Sequence, residues 1–119
     1  MRMLSGLVAL AAVATPASAT MTVGAFVAKA QALRANPLAA IASPDLGLLR
    51  AEAQAATAQL KAERDARKAA GKPPIACPPP GKSIGILEMV DGLAALPARD
   101  KALPLKHGYA RVFANRFPC

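Results

Sequence analysis

The side chains from which this 119-residue chain could build chemistry are few: two cysteines, one histidine and seven acidic residues. The histidine, His107, lies beside Lys106, and the acid closest to it in sequence is Asp100. A catalytic histidine needs a nucleophile or an orienting carboxylate within reach, and no pattern in the sequence brings one to it. His107 therefore reads as a surface residue. A zinc site needs three or four ligands, which Cys77, Cys119 and His107 at long spacings do not supply. The sequence has no glycine-rich phosphate loop, no nucleophile elbow and no carboxylates clustered on one helix face. These observations point away from an enzyme, and neither a cofactor nor a metal is expected.

The chemistry that remains is that of the two thiols, and it depends on the compartment. The chain opens "MRMLSGLVALAAVATPASAT". Arg2 makes a positive start, Leu4 to Ala14 form an apolar run, and "ASA" ends at Ala19 in the small–x–small form that a signal peptidase cuts. The apolar run is too short for the roughly 20 residues of a membrane span. Cleavage between Ala19 and Thr20 is expected, leaving a mature domain of residues 20–119 in the periplasm. Disulfides persist in such an oxidising space. Two cysteines allow one pairing, so a Cys77–Cys119 bond is expected.

Composition restricts the rest. Removing Arg2 from the 15 basic residues leaves 14 against 7 acidic, so the mature chain carries about +7. Thirty residues are alanine, and only Phe26, Tyr109, Phe113 and Phe117 are aromatic. Alanine favours helix but buries little area, so helices form easily and a dense core does not. No internal repeat and no strand-like alternation is present. The densest basic run, "KAERDARK", is interrupted by Glu63 and Asp65 and has no aromatic side chain. It reads as a solvated helix end rather than a nucleic-acid surface.

The positioning elements follow from spacing and caps. Thr22 caps a first helix over 22–35, with Val23, Phe26, Val27, Ala30 and Leu33 at helical spacing, and Asn36-Pro37 ends it. "LAAIA" reads as an apolar link. Ser43, Pro44 and Asp45 start a long helix over 44–70 that stops at Gly71. Leu46, Leu49, Ala53, Ala56 and Leu60 step by 3 and 4, giving one expected apolar stripe. Glu63 and Arg67 form an expected i,i+4 pair.

The segment 71–83, with five prolines, is an extended linker that carries Cys77. Ser83 caps a third helix over 84–96, whose apolar face is Ile86, Met89, Val90, Leu93 and Leu96. "PARDKALP" reads as a turn with solvated charges. Pro104, at the first helical position, opens a fourth helix over 104–116, with Leu105, Tyr109, Val112, Phe113 and Phe117 on one face. Gly108 on this helix either allows a close helix approach or is incidental. The expected architecture is all-α, a small four-helix domain with one disulfide.

From Cys77 to Cys119 the sequence "CPPPGKSIGILEMVDGLAALPARDKALPLKHGYARVFANRFPC" resembles the Rap/Tai family of type VI secretion immunity proteins. Cys77-Pro78, the Ser83 cap, Leu93, Pro97, the helix after Pro104 and the closing Phe117-Pro118-Cys119 carry the resemblance, together with the signal peptide. It implies an exported helical protein that binds a toxin effector and blocks it by occlusion, without chemistry of its own. It also implies a homodimer. It assigns no toxin-contacting residue. A second expectation comes from charge alone: a basic periplasmic protein that binds the cell envelope.

Overall fold

The structure is a computed structural model that describes residues 21–119. The expected signal peptide and its cleavage point at Ala19 and Thr20 lie outside the described residues. Among the described residues there are six helices: α1 Val23–Ala35, α2 Pro37–Ala42, α3 Pro44–Ala69, α4 Ile86–Ala94, α5 Ala98–Lys101 and α6 Leu105–Arg116. The all-α expectation holds, but the count of four is corrected to six.

The first correction is α2. "LAAIA" is not a link, because Asn36 ends α1 and also starts the next helix. Its backbone N–H donates to the Leu33 carbonyl, while its side-chain oxygen accepts from the Ala39 N–H at 3.4 Å. Pro37 then sits at the first helical position, where its missing N–H costs nothing. The second correction is α5. "PARDKALP" is helical at its centre, and Asp100 is only 7% exposed rather than solvated.

The helix starts divide into those with side-chain caps and those without. Thr22 caps α1 by accepting from the Ala25 N–H at 3.2 Å, and Ser43 caps α3 by accepting from the Asp45 N–H at 3.2 Å. Ser83 caps nothing. The linker stays extended through Gly85, so α4 begins at Ile86 and the Met89 N–H donates to the Gly85 carbonyl. Pro104 is the residue before α6 rather than its first. An isolated bridge with Thr22 holds it extended, with the Val23 N–H on the Leu103 carbonyl and the Leu105 N–H on the Met21 carbonyl. That bridge fastens the start of α1 to the start of α6.

The end of α3 is a Schellman motif. Gly71 takes φ 69°, the Lys72 N–H donates to the Arg67 carbonyl, and the Gly71 N–H donates to the Lys68 carbonyl. Glycine populates this left-handed region without a Cβ penalty. The expected Glu63–Arg67 pair does not form. Glu63 instead accepts from Lys106 on α6 at 2.6 Å, and Arg67 donates to the Pro73 carbonyl at 2.8 Å.

α1 and α6 make the centre of the domain. α3 and α4 each pack against both, yet make no substantial contact with each other. The core is Val23 and Phe26 of α1, Leu49 and Ala56 of α3, Met89, Val90 and Leu93 of α4, and Leu105, Tyr109 and Val112 of α6, with Leu96 after α4. Four half-exposed ion pairs cross the helix seams, Lys29–Asp45, Arg34–Asp91, Glu63–Lys106 and Glu88–Arg116. Each contributes at most about 1 kcal/mol. The Cys77–Cys119 disulfide joins the linker to the chain end, with a Cα–Cα distance of 4.9 Å. The Cys77 N–H also donates to the Phe117 carbonyl at 2.8 Å. Phe117 is the half-buried residue that ends α6, not a member of its buried face.

Gly108 is a close approach. A Cβ there would collide with Val23 Cγ2 and lie 2.8 Å from Leu93 Cδ2. Both neighbours are fully buried, and valine has one preferred rotamer to give way from. Gly108→Ala gains about 1 kcal/mol of helix propensity but overpacks the α1–α4–α6 junction at about 1–3 kcal/mol. The expected outcome is a net loss of stability in urea denaturation; a gain would show that the junction is loose.

Candidate docking slot

Separated walls over a shared floor leave a slot between α3 and α4 of about 1070 Å³. The α3 wall is built by spacing. Leu46, Arg50, Ala53, Thr57 and Lys61 step by 4, 3, 4 and 4, so they lie on one helix face. Leu49, at its edge, belongs to both the slot and the core. The adjacent face, with Glu52, Ala56, Leu60 and Glu63, turns toward the rest of the domain. The expected single stripe is therefore corrected to two. Leu46 belongs to the slot wall, Ala53 borders both slot and core as Leu49 does, and Glu52 takes a buried place that the stripe lacked. Glu52 accepts a hydrogen bond from the Met21 N–H at 3.2 Å, so it holds the chain where it runs into α1.

The opposite wall is Ile84, Ile86, Leu87 and Val90. Ile86 and Leu87 are 58% and 56% exposed, so the apolar wall stands open to water. Of the expected apolar face of this helix, Ile86 lies on the slot wall, and the buried positions are Met89, Val90 and Leu93. The floor is Phe26 and Ala30 of α1 with Tyr109 and Phe113 of α6. Pro37 and Ala40 of α2 close one end, and Leu38 and Ile41 on the outer side of α2 are 84% and 78% exposed. Contiguous exposed apolar surface of this kind marks an interaction site on a monomer.

The electrostatics of the slot have one sign. Arg34, Arg50 and Lys61 line it, and no carboxylate does. Arg34 is engaged by Asp91 at 2.7 Å. Arg50 and Lys61 are exposed and have no ion-pair partner among the described residues.

Tyr109 on the floor is the chain's only tyrosine. Its ring meets Phe26 edge-on, with centroids 6.4 Å apart and planes at 84°, a favoured aromatic geometry. Burial pushes its hydroxyl pKa from 10.0 up to about 12. The folded state thus favours the neutral phenol, and its contribution to stability is complete below pH 10. It is lost as pH rises from 10 through about 12, where the unfolded chain ionises first. A fall of about 2–3 kcal/mol over that window is expected. Tyrosinate absorbance of the folded protein should titrate near the upper limit; titration near pH 10 would mean that the ring is solvated.

The expected site residues fall elsewhere. Cys77 and Cys119 form the staple, distant in role from the slot. His107 is exposed, as expected, and does not line the slot. Among the described residues no three His, Cys, Asp or Glu side chains are grouped to hold a metal, and no helix is long and apolar enough to cross a membrane. The chain matches no protein-family model, and no curated protein or solved structure is significantly similar to it.

Proposed function

We propose that the chain is an exported helical binding protein that neutralises a toxin effector by occluding it, as the Rap/Tai resemblance of its last 43 residues implies. The observation that carries this reading is the open apolar slot between α3 and α4, a surface with the form of a docking site that none of the described residues fills. The disulfide supports export, because such bonds persist in oxidising compartments. It also supports occlusion, because a rigid surface loses less entropy on binding than a loose one. The slot takes Ile84 from the same linker that carries Cys77, so the staple bears on one of its walls.

The test is direct. Residues 20–119, produced oxidised, are mixed with the secreted effectors encoded beside the gene. One of them should bind at nanomolar to micromolar affinity and lose its activity in the complex. If no neighbouring gene encodes a toxin, or if none of the toxins binds, the neutralising role fails.

A second reading, attachment to the cell envelope, draws on the exposed cations Lys61, Lys68 and Lys72 at and beyond the end of α3. It expects salt-sensitive pelleting with anionic lipid vesicles or cell-wall polymer. No pelleting at low salt removes it. The homodimer that the resemblance implies stands as a further proposal, tested by the mass in solution.

A further inference from the structure

We infer that the slot takes an acidic amphipathic helix of about four turns, contributed by the neutralised partner. The inference rests on the toxin-neutralising reading and names the chemistry by which that partner is recognised.

Length comes first. From Leu46 to Lys61 the α3 wall runs 15 residues, which at 1.5 Å per residue is about 22 Å. A helix laid along it spans about four turns. Width comes second. Packed helices sit 8–10 Å apart, axis to axis, when the contact residues are small. Ala53 and Thr57 at the middle of the wall allow a backbone to approach closely, while Leu46 on this wall and Ile86 and Leu87 on the other supply the apolar contacts. A helix in such a groove is a recurring mode of peptide recognition, read by anchors at i, i+3, i+4 and i+7.

Charge decides the polarity of the occupant. Arg50 and Lys61 stand 11 residues apart on one wall, about 16 Å along the helix. Their separation also decides its class. The headgroup of a single acyl chain would draw cations to one end of the slot. Cations spread along the wall suit carboxylates spread along a polypeptide. No carboxylate lines the slot, and Asp91 beside it is paired with Arg34, so acidic side chains flanking an apolar face meet the free cations Arg50 and Lys61.

The experiment uses the oxidised protein and two labelled synthetic peptides of about 16 residues. Both carry leucines on one helix face; one has glutamates on the other face and its counterpart has lysines. Fluorescence anisotropy should show the glutamate peptide binding about tenfold more tightly, the sum of two rim ion pairs with Arg50 and Lys61, with the preference shrinking as salt rises. Arg50→Glu with Lys61→Glu, both at exposed positions, should invert the preference and leave thermal stability unchanged. Ala53→Trp should abolish binding of both peptides by filling the slot.

Binding without charge preference, or a preference that the double charge reversal leaves intact, overturns the inference. So does saturation by monomeric decanoate with no peptide bound, which would assign the slot to an acyl chain. A dimer that excludes the peptide and dissociates in Ala53→Trp would assign it to a second copy of this chain and overturn the inference as well. Each of these failures leaves effector neutralisation to another surface, whereas the neutralising reading itself stands or falls by the mixing of protein with neighbouring effectors.

Discussion

Reduction of the Cys77–Cys119 bond, or Cys119→Ser, is expected to lower unfolding stability by about 4 kcal/mol. The bond closes a loop of 42 residues, and limiting the unfolded chain over a loop of that length is worth about 4 kcal/mol in the chain-entropy model. The loop holds α4, α5 and α6 entire, so the constraint bears on seven of the eleven buried core residues. For a domain of this size each kcal/mol moves the melting temperature by about 4–8 °C. A fall of roughly 15–30 °C on adding reductant follows from that slope. Thermal melts with and without reductant measure it. The Cys77→Ser, Cys119→Ser double variant should melt low under both conditions. If reduction leaves the melting temperature within a few degrees, the linker and the chain end are held by their other contacts, such as the Cys77–Phe117 backbone hydrogen bond.

Phe26→Ala is expected to cost about 3–5 kcal/mol, the range for deleting a buried aromatic ring. Phe26 is 1% exposed and is among the largest fully buried side chains. Aromatics are scarce here, and the tightly buried Val23, Leu93 and Leu105 of the same core have little freedom to collapse into the vacancy. Part of the loss, about 0.5–1.5 kcal/mol, is the edge-on contact with Tyr109. The two rings also titrate together in effect: removing Phe26 admits water to the phenol and should bring the Tyr109 pKa down from about 12 toward 10.0. Urea denaturation and a tyrosinate titration check both parts. A stability loss under about 1 kcal/mol with an unmoved titration would show that α1 is not anchored by this ring. Combined with reduction, the substitution approaches the entire stability of an ordinary domain, so the reduced variant should be unfolded.

The elements with local signals were legible in the sequence. Thr22, Ser43 and Gly71 each perform the capping role that their residue types suggest, because a cap is decided within one turn of chain. The disulfide was legible through counting, since two cysteines leave one choice. The short helices were not. α2 depends on Asn36 serving two helices at once, and α5 on Asp100 being covered by neighbours far away in sequence. Glu63 shows the same limit: its helical neighbour Arg67 was the local choice, but Lys106, 43 residues away, is the partner that tertiary packing brings. The slot was hidden by alanine. Ala53 borders the slot as well as the core while Ala56 is wholly in the core, and a methyl group does not distinguish the two places in sequence. The signal that could have revealed it is the second 3–4 spacing on α3, through Leu46, Arg50, Thr57 and Lys61, which ends in unpaired cations where a core stripe would continue apolar.

The most direct test of the proposal that the α3–α4 slot is where a toxin is held is hydrogen exchange of residues 20–119, with and without the effector encoded beside the gene. The expected result is slowed exchange on α3 between 46 and 61 and on α4 between 86 and 90, with the His107 region unchanged and the effector inactive. Slowed exchange confined to other surfaces, with the effector still inhibited, would contradict the slot as the docking site.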